Sequence, residues 1–325
     1  MNNQKVELLS PAGNLEKLKI AIKYGADAVY AGVSHFSLRI RAGKEFTFET
    51  FKEGIDYAHA RGKKVYATIN GFPFNSQIEL LKKHIATMAA LKPDGFIVAA
   101  PGVVKLCREI APEIDIHLST QANVLNYLDA QVFWDMGVKR IVVAREISLK
   151  DVVEIKKHLP DMEIEIFVHG SMCFAYSGRC LVSAVQMGRV PNRGSCANDC
   201  RFEYTLYAAN EDHSTLFRLE EEPGVGTYIF NSKDMNLASH IKEILDSGAV
   251  DSLKIEGRTK SPYYAAVTAK AYREAIDDYY AGKFEADKYQ KELYTTKNRG
   301  FTDAYLIHRP FEKTDSQNHD YALSK

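Results

Sequence analysis

The chain contains no run of about eighteen apolar residues, the length a helix needs to cross a bilayer. Its opening stretch, MNNQKVELLSPAG, lacks the basic and apolar blocks of a secretory leader, so a cytoplasmic protein is expected. Net charge is absent as well. The 42 Lys and Arg balance 42 Asp and Glu, so composition gives no global attraction to nucleic acid or anionic lipid, and any such binding must use a local patch. Several motifs are missing: there is no H-E-x-x-H, no G-x-S-x-G and no G-x-G-x-x-G after a strand. Zinc-protease, serine-hydrolase and dinucleotide-binding readings therefore have no motif to stand on. Cysteine is scarce and odd in number, five in all, and in a reducing compartment such residues are thiols or metal ligands rather than disulfides.

What is present is enough for a large core: 325 residues, 46% of them hydrophobic and 26% charged. Apolar, β-branched runs recur at Val6 to Ala12, Ala28 to Val33, Lys64 to Asn70, Gly95 to Ala99, Ile116 to Gln121, Arg140 to Arg145 and Ile164 to His169. An eighth follows much later, at Ser252 to Ile255. Such runs suit parallel strands buried on both faces. Amphipathic segments lie between them with readable punctuation. Asn14 is placed to cap a helix, Ser148 and Asp151 have capping-box spacing, and Gly62, Gly137 and Gly248 stand where helices stop. Eight strands alternating with helices predict an α/β (β/α)8 TIM-like barrel spanning residues 1–310. The spacing breaks once, in an insertion of residues 171–250 after the seventh strand, where barrels place chemistry. The acidic stretch Glu220 to Glu222, followed by Pro223 and Gly224, reads as a solvated turn.

Four cysteines fall in this insertion as C-x6-C-x15-C-x3-C: Cys173, Cys180, Cys196 and Cys200. Four soft thiolates suit an iron–sulfur cluster or zinc, and only the second pair has the short spacing usual for structural zinc. Gly170, Gly178, Gly188 and Gly194 interleave the thiols and let backbone amides approach them. Cys107 stands apart on a barrel helix. His169 near Cys173 also fits a thiol-protease pair, against the plainer reading of a packed strand-end histidine.

Polar residues end strand after strand: Ser10, Thr68, Asn70, Ser119, Gln121, Arg145, Glu146, His169, Lys254, Glu256 and Arg258. That repetition predicts a lined pocket. Arg145, Lys254 and Arg258 are candidate ligands for a carboxylate or phosphate, against the alternative that they pair with Glu146 or Glu256. From Lys254 to Arg273, five basic residues alternate with Tyr263, Tyr264 and Tyr272. The pattern fits an RNA-stacking surface, but a helix with inward tyrosines is the favoured reading.

Glu165, Phe167, Gly170, Cys173, Ser177, Gly178, Cys180 and Ser183, in EIFVHGSMCFAYSGRCLVS, carry a resemblance to the peptidase U32 family, the collagenase-like proteases. It extends from ELLSPAG through NRGSCANDC, FNSKDMN and SLKIEGR to KNRGFTDAYL. The resemblance implies a hydroxylase that needs no oxygen gas. It implies a [4Fe-4S] cluster on Cys173, Cys180, Cys196 and Cys200, and prephenate, a small dicarboxylate, as oxygen source. Family substrates include tRNA wobble uridine, ribosomal RNA cytidine and quinone precursors. Asn192, Arg193 and Gly194 before Cys196 and Cys200 are most similar to the tRNA branch, which makes 5-hydroxyuridine. Catalytic roles are then expected for Arg145, Glu146, His169, Lys254, Glu256 and Arg258. The alternatives are a collagenase-like peptidase and a non-catalytic carrier working with a related U32 partner chain. The branch usually continues into a small C-terminal domain, which is expected to be lacking here, with residues 311–325 forming a tail.

Overall fold

The computed structural model describes residues 5–33, 36–38, 46–209, 216–219 (backbone only) and 232–308. The expected tail at 311–325 and the acidic stretch at 220–222 lie outside the described residues.

All eight expected strands form, and they close on themselves. They are β1 (Glu7–Pro11), β2 (Ala28–Ala31), β3 (Lys64–Ile69), β4 (Gly95–Val98), β5 (Asp115–Leu118), β6 (Arg140–Val142), β7 (Glu163–Ser171) and β11 (Ser252–Ile255). Each pairs in parallel with its neighbour. β11 pairs with both β1 (Glu7 opposite Ser252) and β7 (Glu165 opposite Ser252), which completes the TIM-type barrel. Between β7 and β11 come the hairpin β8 (Leu206–Ala209) and β9 (Leu216–Leu219), and the short strand β10 (Asp234–Asn236). β10 runs antiparallel to the end of β7 and also pairs with β12 (Phe301–Thr302).

The helices start where local chemistry says they should. In α1 (Leu15–Lys23), Asn14 accepts the Lys17 N–H at 2.9 Å, and in α6 (Leu149–His158), Ser148 accepts the Asp151 N–H at 3.2 Å. Gly62, Gly137 and Gly248 all have positive φ just after helices, where a side chain would be strained.

Strand alternation sorts the residues into two cores. Leu8, Val29, Val65, Phe96, Ile116, Ile141, Ile164 and Leu253 face the helices. Leu9, Ala28, Tyr30, Tyr66 and Ile97 form a separate cluster inside the bore. Inward charges fill the lower bore. Arg140 binds Glu7 at 2.5 Å, Glu163 at 2.6 Å and Glu165 at 3.2 Å, while Lys254 binds Glu165 at 2.6 Å. Tyr66 and Ser252 donate to Glu7 at 2.6 and 3.0 Å, so its carboxylate is fully engaged.

The basic and tyrosine-rich stretch from Lys254 to Arg273 folds as the favoured reading expects. It runs into α9 (Pro262–Tyr280), where Tyr264 and Tyr272 are buried as that reading expects, whereas Tyr263 is exposed and bonds Thr295 Oγ1 at 2.9 Å. Lys270 pairs with Glu292 and Arg273 with Asp27, which spends those cations on structure.

Candidate functional site

At the C-terminal end of the barrel strands lies a cavity of ≈ 150 Å³. Tyr30, Ile97, Val142 and Phe167 give it an apolar floor, and Thr68, Asn70, Ser119 and Gln121 line its wall. All four insertion cysteines face it, together with Arg145, Arg201, Lys254, Glu256 and Arg258. The insertion thus folds over the barrel mouth and brings its thiols to the same space as the strand-end cations.

Specific bonds shape the thiol loops. Ser177, midway between Cys173 and Cys180, has φ 43°, a left-handed conformation that costs a non-glycine residue free energy. Glu146 holds it there, accepting the Ser177 N–H at 2.7 Å and its hydroxyl hydrogen, while the Arg145 N–H donates to Ser177 Oγ at 3.0 Å. Asn192 bridges the next loop, accepting the Cys180 N–H at 3.2 Å and donating to Gly178 O at 2.9 Å. The Val182 N–H donates to Cys180 Sγ at 3.3 Å. Gly170 has φ 113°, and a Cβ there would lie 2.6 Å from Glu256 O, so only glycine lets β7 pass the end of β11 this closely.

The four thiols feel one another. Burial pushes Cys180 up, and the neighbouring Cys173 and Cys196 add to the rise. Burial also raises Cys200, where Arg201 pulls the other way and Cys173 and Cys196 again add. Among the described residues no three His, Cys, Asp or Glu side chains converge tightly enough for one metal ion. Cys107 is remote on α4 (Pro101–Ile110), fully buried, with its thiol pushed up to about 12 by desolvation.

The cations are held in different ways. Arg145 donates to Ser171 O at 2.9 Å and lies over the Phe167 ring at 4.1 Å, while its Nε has no hydrogen-bond partner among the described residues. Arg258 donates to Ser37 Oγ at 2.8 Å, Thr68 Oγ1 at 3.0 Å and Leu38 O, and so pins the segment at 36–38 to the barrel. Lys254 is buried between the Tyr30 and Phe167 rings; desolvation lowers its pKa against the opposing pull of Glu165.

The structure separates two of the expected catalytic residues from the cavity wall. Glu146 is engaged by Ser177, outside the lining residues. His169 is turned away by an irregularity in β7, where Lys254 pairs with Phe167 but Ile255 pairs with His169, skipping Val168. That shift gives His169 the outward facing of Ile255. It packs against Tyr272 at 5.5 Å and Phe301 at 5.4 Å between ring centroids, and burial lowers its pKa to about 4. The structure therefore gives Cys173 no histidine partner in His169. The sequence reading also passed over Arg201 and Tyr30. Arg201 follows Cys200 directly, and a cation beside one of the four clustered cysteines was the available signal.

The family model for peptidase family U32 matches residues 13–316 of the chain. The chain is 70% identical over 321 residues to tRNA hydroxylation protein P of Helicobacter pylori (strain J99), covering 99% of this chain and 76% of that one. It is 42% identical over 357 residues to tRNA hydroxylation protein P of Escherichia coli K12, covering 98% and 78%. Among solved structures, the U32 peptidase Mk0906 superposes with a TM-score of 0.50 at 16% identity, covering 79% of this chain and 96% of that one, a likeness of fold. The cysteine-bearing insertion on a closed barrel, the family model across nearly the whole length and these identities together place the chain: it belongs to peptidase family U32.

Proposed function

We propose that the protein hydroxylates tRNA, forming 5-hydroxyuridine at the wobble position, with an iron–sulfur cluster on Cys173, Cys180, Cys196 and Cys200 and with prephenate as oxygen donor. The observation that carries this reading is the meeting of four thiols and four cations around one small cavity at the active face of the barrel. The names of the relatives, tRNA hydroxylation protein P, supply the substrate class.

The thiols fit a polynuclear cluster. A single zinc ion bound at 2.3 Å would bring its sulfurs to within about 3.8 Å of one another. No such convergence exists among the described residues, whereas all four cysteines line one shared volume. The Val182 N–H directed at Cys180 Sγ is the kind of donor that tunes cluster thiolates. When bound, the cluster supplies electron-transfer and Lewis-acid chemistry at the barrel mouth.

The chain's own residues supply the rest. Replacing C5–H of a uridine by C5–OH is a two-electron oxidation, so the molecule that gives the oxygen is itself reduced by two electrons. Arg145 and the neighbouring cations hold the carboxylates of that donor, and the apolar floor excludes water around it. A base must leave its stack to meet the donor at a site set between the barrel mouth and the insertion. RNA contact belongs to the insertion rather than to α9. Phe174, Tyr176 and Phe202 are exposed in the insertion, as is Arg179, offering stacking faces and a cation near the mouth.

A thiol peptidase would need a base at Cys173, and His169 is directed to the opposite side of β7. The deciding experiment is nucleoside analysis of tRNA from a deletion strain. Loss of 5-hydroxyuridine derivatives, restored by the wild-type gene and maintained during growth without oxygen, is expected. Unchanged nucleosides together with gelatin cleavage by iron-free protein would replace this reading with the peptidase.

A further inference from the structure

Three polar atoms of the cavity wall are buried without any hydrogen-bond partner among the described residues: Gln121 Oε1, Arg145 Nε and Arg201 Nε. Most buried polar groups are paired, and those left over in a lined cavity mark where a ligand completes the set. Gln121 is 4% exposed and projects from a short 3-10 turn (Thr120–Ala122) after β5, whose backbone is fixed by the bond from Arg179 Nε to Gln121 O at 2.7 Å. Arg145 is oriented by Ser171 O and Phe167, so its unpartnered edge is set in place rather than free to wander. Arg201 sits in the short turn Asp199–Arg201, immediately after Cys200. Among the described residues lining the cavity, the cations Arg145, Arg201, Lys254 and Arg258 face one carboxylate, Glu256. Lys254 already pairs with Glu165, and Arg258 serves Ser37, Thr68 and Leu38, which leaves Arg145 and Arg201 to receive an anion.

The three atoms ask for complementary partners. Two guanidinium N–H groups want an anion, and an amide oxygen wants a donor hydrogen on the same small molecule. We propose that Gln121, Arg145 and Arg201 form a subsite for a small hydroxy acid, its carboxylate held by the two arginines and its hydroxyl donating to Gln121 Oε1. The inference rests on the reading of this cavity as the reaction chamber and deepens it. If the hydroxyl is the oxygen that the donor surrenders, Gln121 tells the loaded donor from the spent one. The spent acid leaves Gln121 Oε1 unpaired, and sites built to bond a hydroxyl reject ligands that lack it. Gln121 is then a specificity-determining residue and the loss of its bond favours release.

The test titrates anaerobically purified, iron-loaded protein by calorimetry with 4-hydroxycyclohexanecarboxylate and cyclohexanecarboxylate, which differ by one hydroxyl, and with uridine 5′-monophosphate as a separate arm. Wild-type protein should bind the hydroxy acid about tenfold or more tightly than its deoxy counterpart. Gln121→Leu should erase that ratio. Arg201→Met should weaken both acids by a similar factor, about tenfold or more, with iron content unchanged. A ratio that survives Gln121→Leu overturns the proposal, as does unchanged affinity in Arg201→Met, or a nucleotide, rather than the acids, responding to these changes. Should Arg201→Met shed iron, the Gln121→Leu ratio decides alone. The functional reading fails separately: absence of 5-hydroxyuridine from wild-type tRNA would sink it and leave the titrations standing, whereas intact modification with no hydroxyl preference sinks only the subsite.

Discussion

The two ends of the barrel bore treat charge in opposite ways. In the lower bore, Arg140, Glu7, Glu163, Glu165 and Lys254 satisfy one another almost completely, with Glu165 fully buried and bound on both sides. At the mouth, Arg145, Arg201 and Gln121 keep buried atoms without partners among the described residues, and four thiols line one cavity. Both sets occupy inward positions of the same strands or the loops that follow them. The difference teaches that burial of charge is not by itself a sign of a site. A closed network holds the bore together, and an open one is ready for something else to close it.

The comparison breaks most visibly at the thiols. On the proposed reading, anaerobic protein carries about four irons per chain, and Ser at Cys173, Cys180, Cys196 or Cys200 removes nearly all of it. Cys107→Ser should leave iron and colour intact, because that thiol packs in the helical shell. Iron and sulfide analysis checks both, and one tightly bound zinc in place of iron would refute the cluster.

The next contrast sets Arg140 against Arg145. Arg140→Met removes the cation shared by Glu7, Glu163 and Glu165, of which Glu165 keeps Lys254, and should lower unfolding stability by about 3–5 kcal/mol in urea titrations. Arg145→Leu gives up one bond to Ser171 O and should cost less than about 1.5 kcal/mol, while on the proposed reading it abolishes the modification. Equal losses of stability in the two variants would erase the proposed difference between bore and mouth.

A smaller effect belongs to His169. Its folded pKa is lowered by burial to about 4, against 6.5 for the free side chain. Above pH 6.5 the group is neutral in both states and its contribution is complete. As pH falls from 6.5 toward 4 the unfolded chain takes up the proton first, so stability drops, by roughly 3 kcal/mol across that window. His169→Phe should flatten this slope in pH-dependent melting curves. A slope unchanged by the substitution would show that His169 is not buried as described.

The smallest effect is local. Ser148→Ala removes the cap of α6 and should cost about 1 kcal/mol, with no change in the modification.

The barrel was legible in the sequence because its strands are buried on both faces and bounded by glycines and caps. Gly62, Gly137 and Gly248 mark helix ends in the order the structure uses them. The pairing of His169 was not legible. A one-residue irregularity reverses which face a side chain takes, and nothing in the composition of EIFVHGS announces it. The bore network could have been read from charges at alternate positions of otherwise apolar strands, as in Glu163, Glu165 and Lys254. The role of Glu146 as the anchor of Ser177 depends on a left-handed residue that only coordinates reveal.

Closure of the barrel joins its first strand to its last, with Glu7 opposite Ser252, and the thiol-bearing insertion is synthesised before that last strand. Ribosomes add about 5–20 residues per second, so the stretch from Cys200 to Ile255 separates the last thiol from the wall that encloses it by roughly 3–11 s. For that interval the chain carries all four thiols without the strand that will close the barrel beneath them.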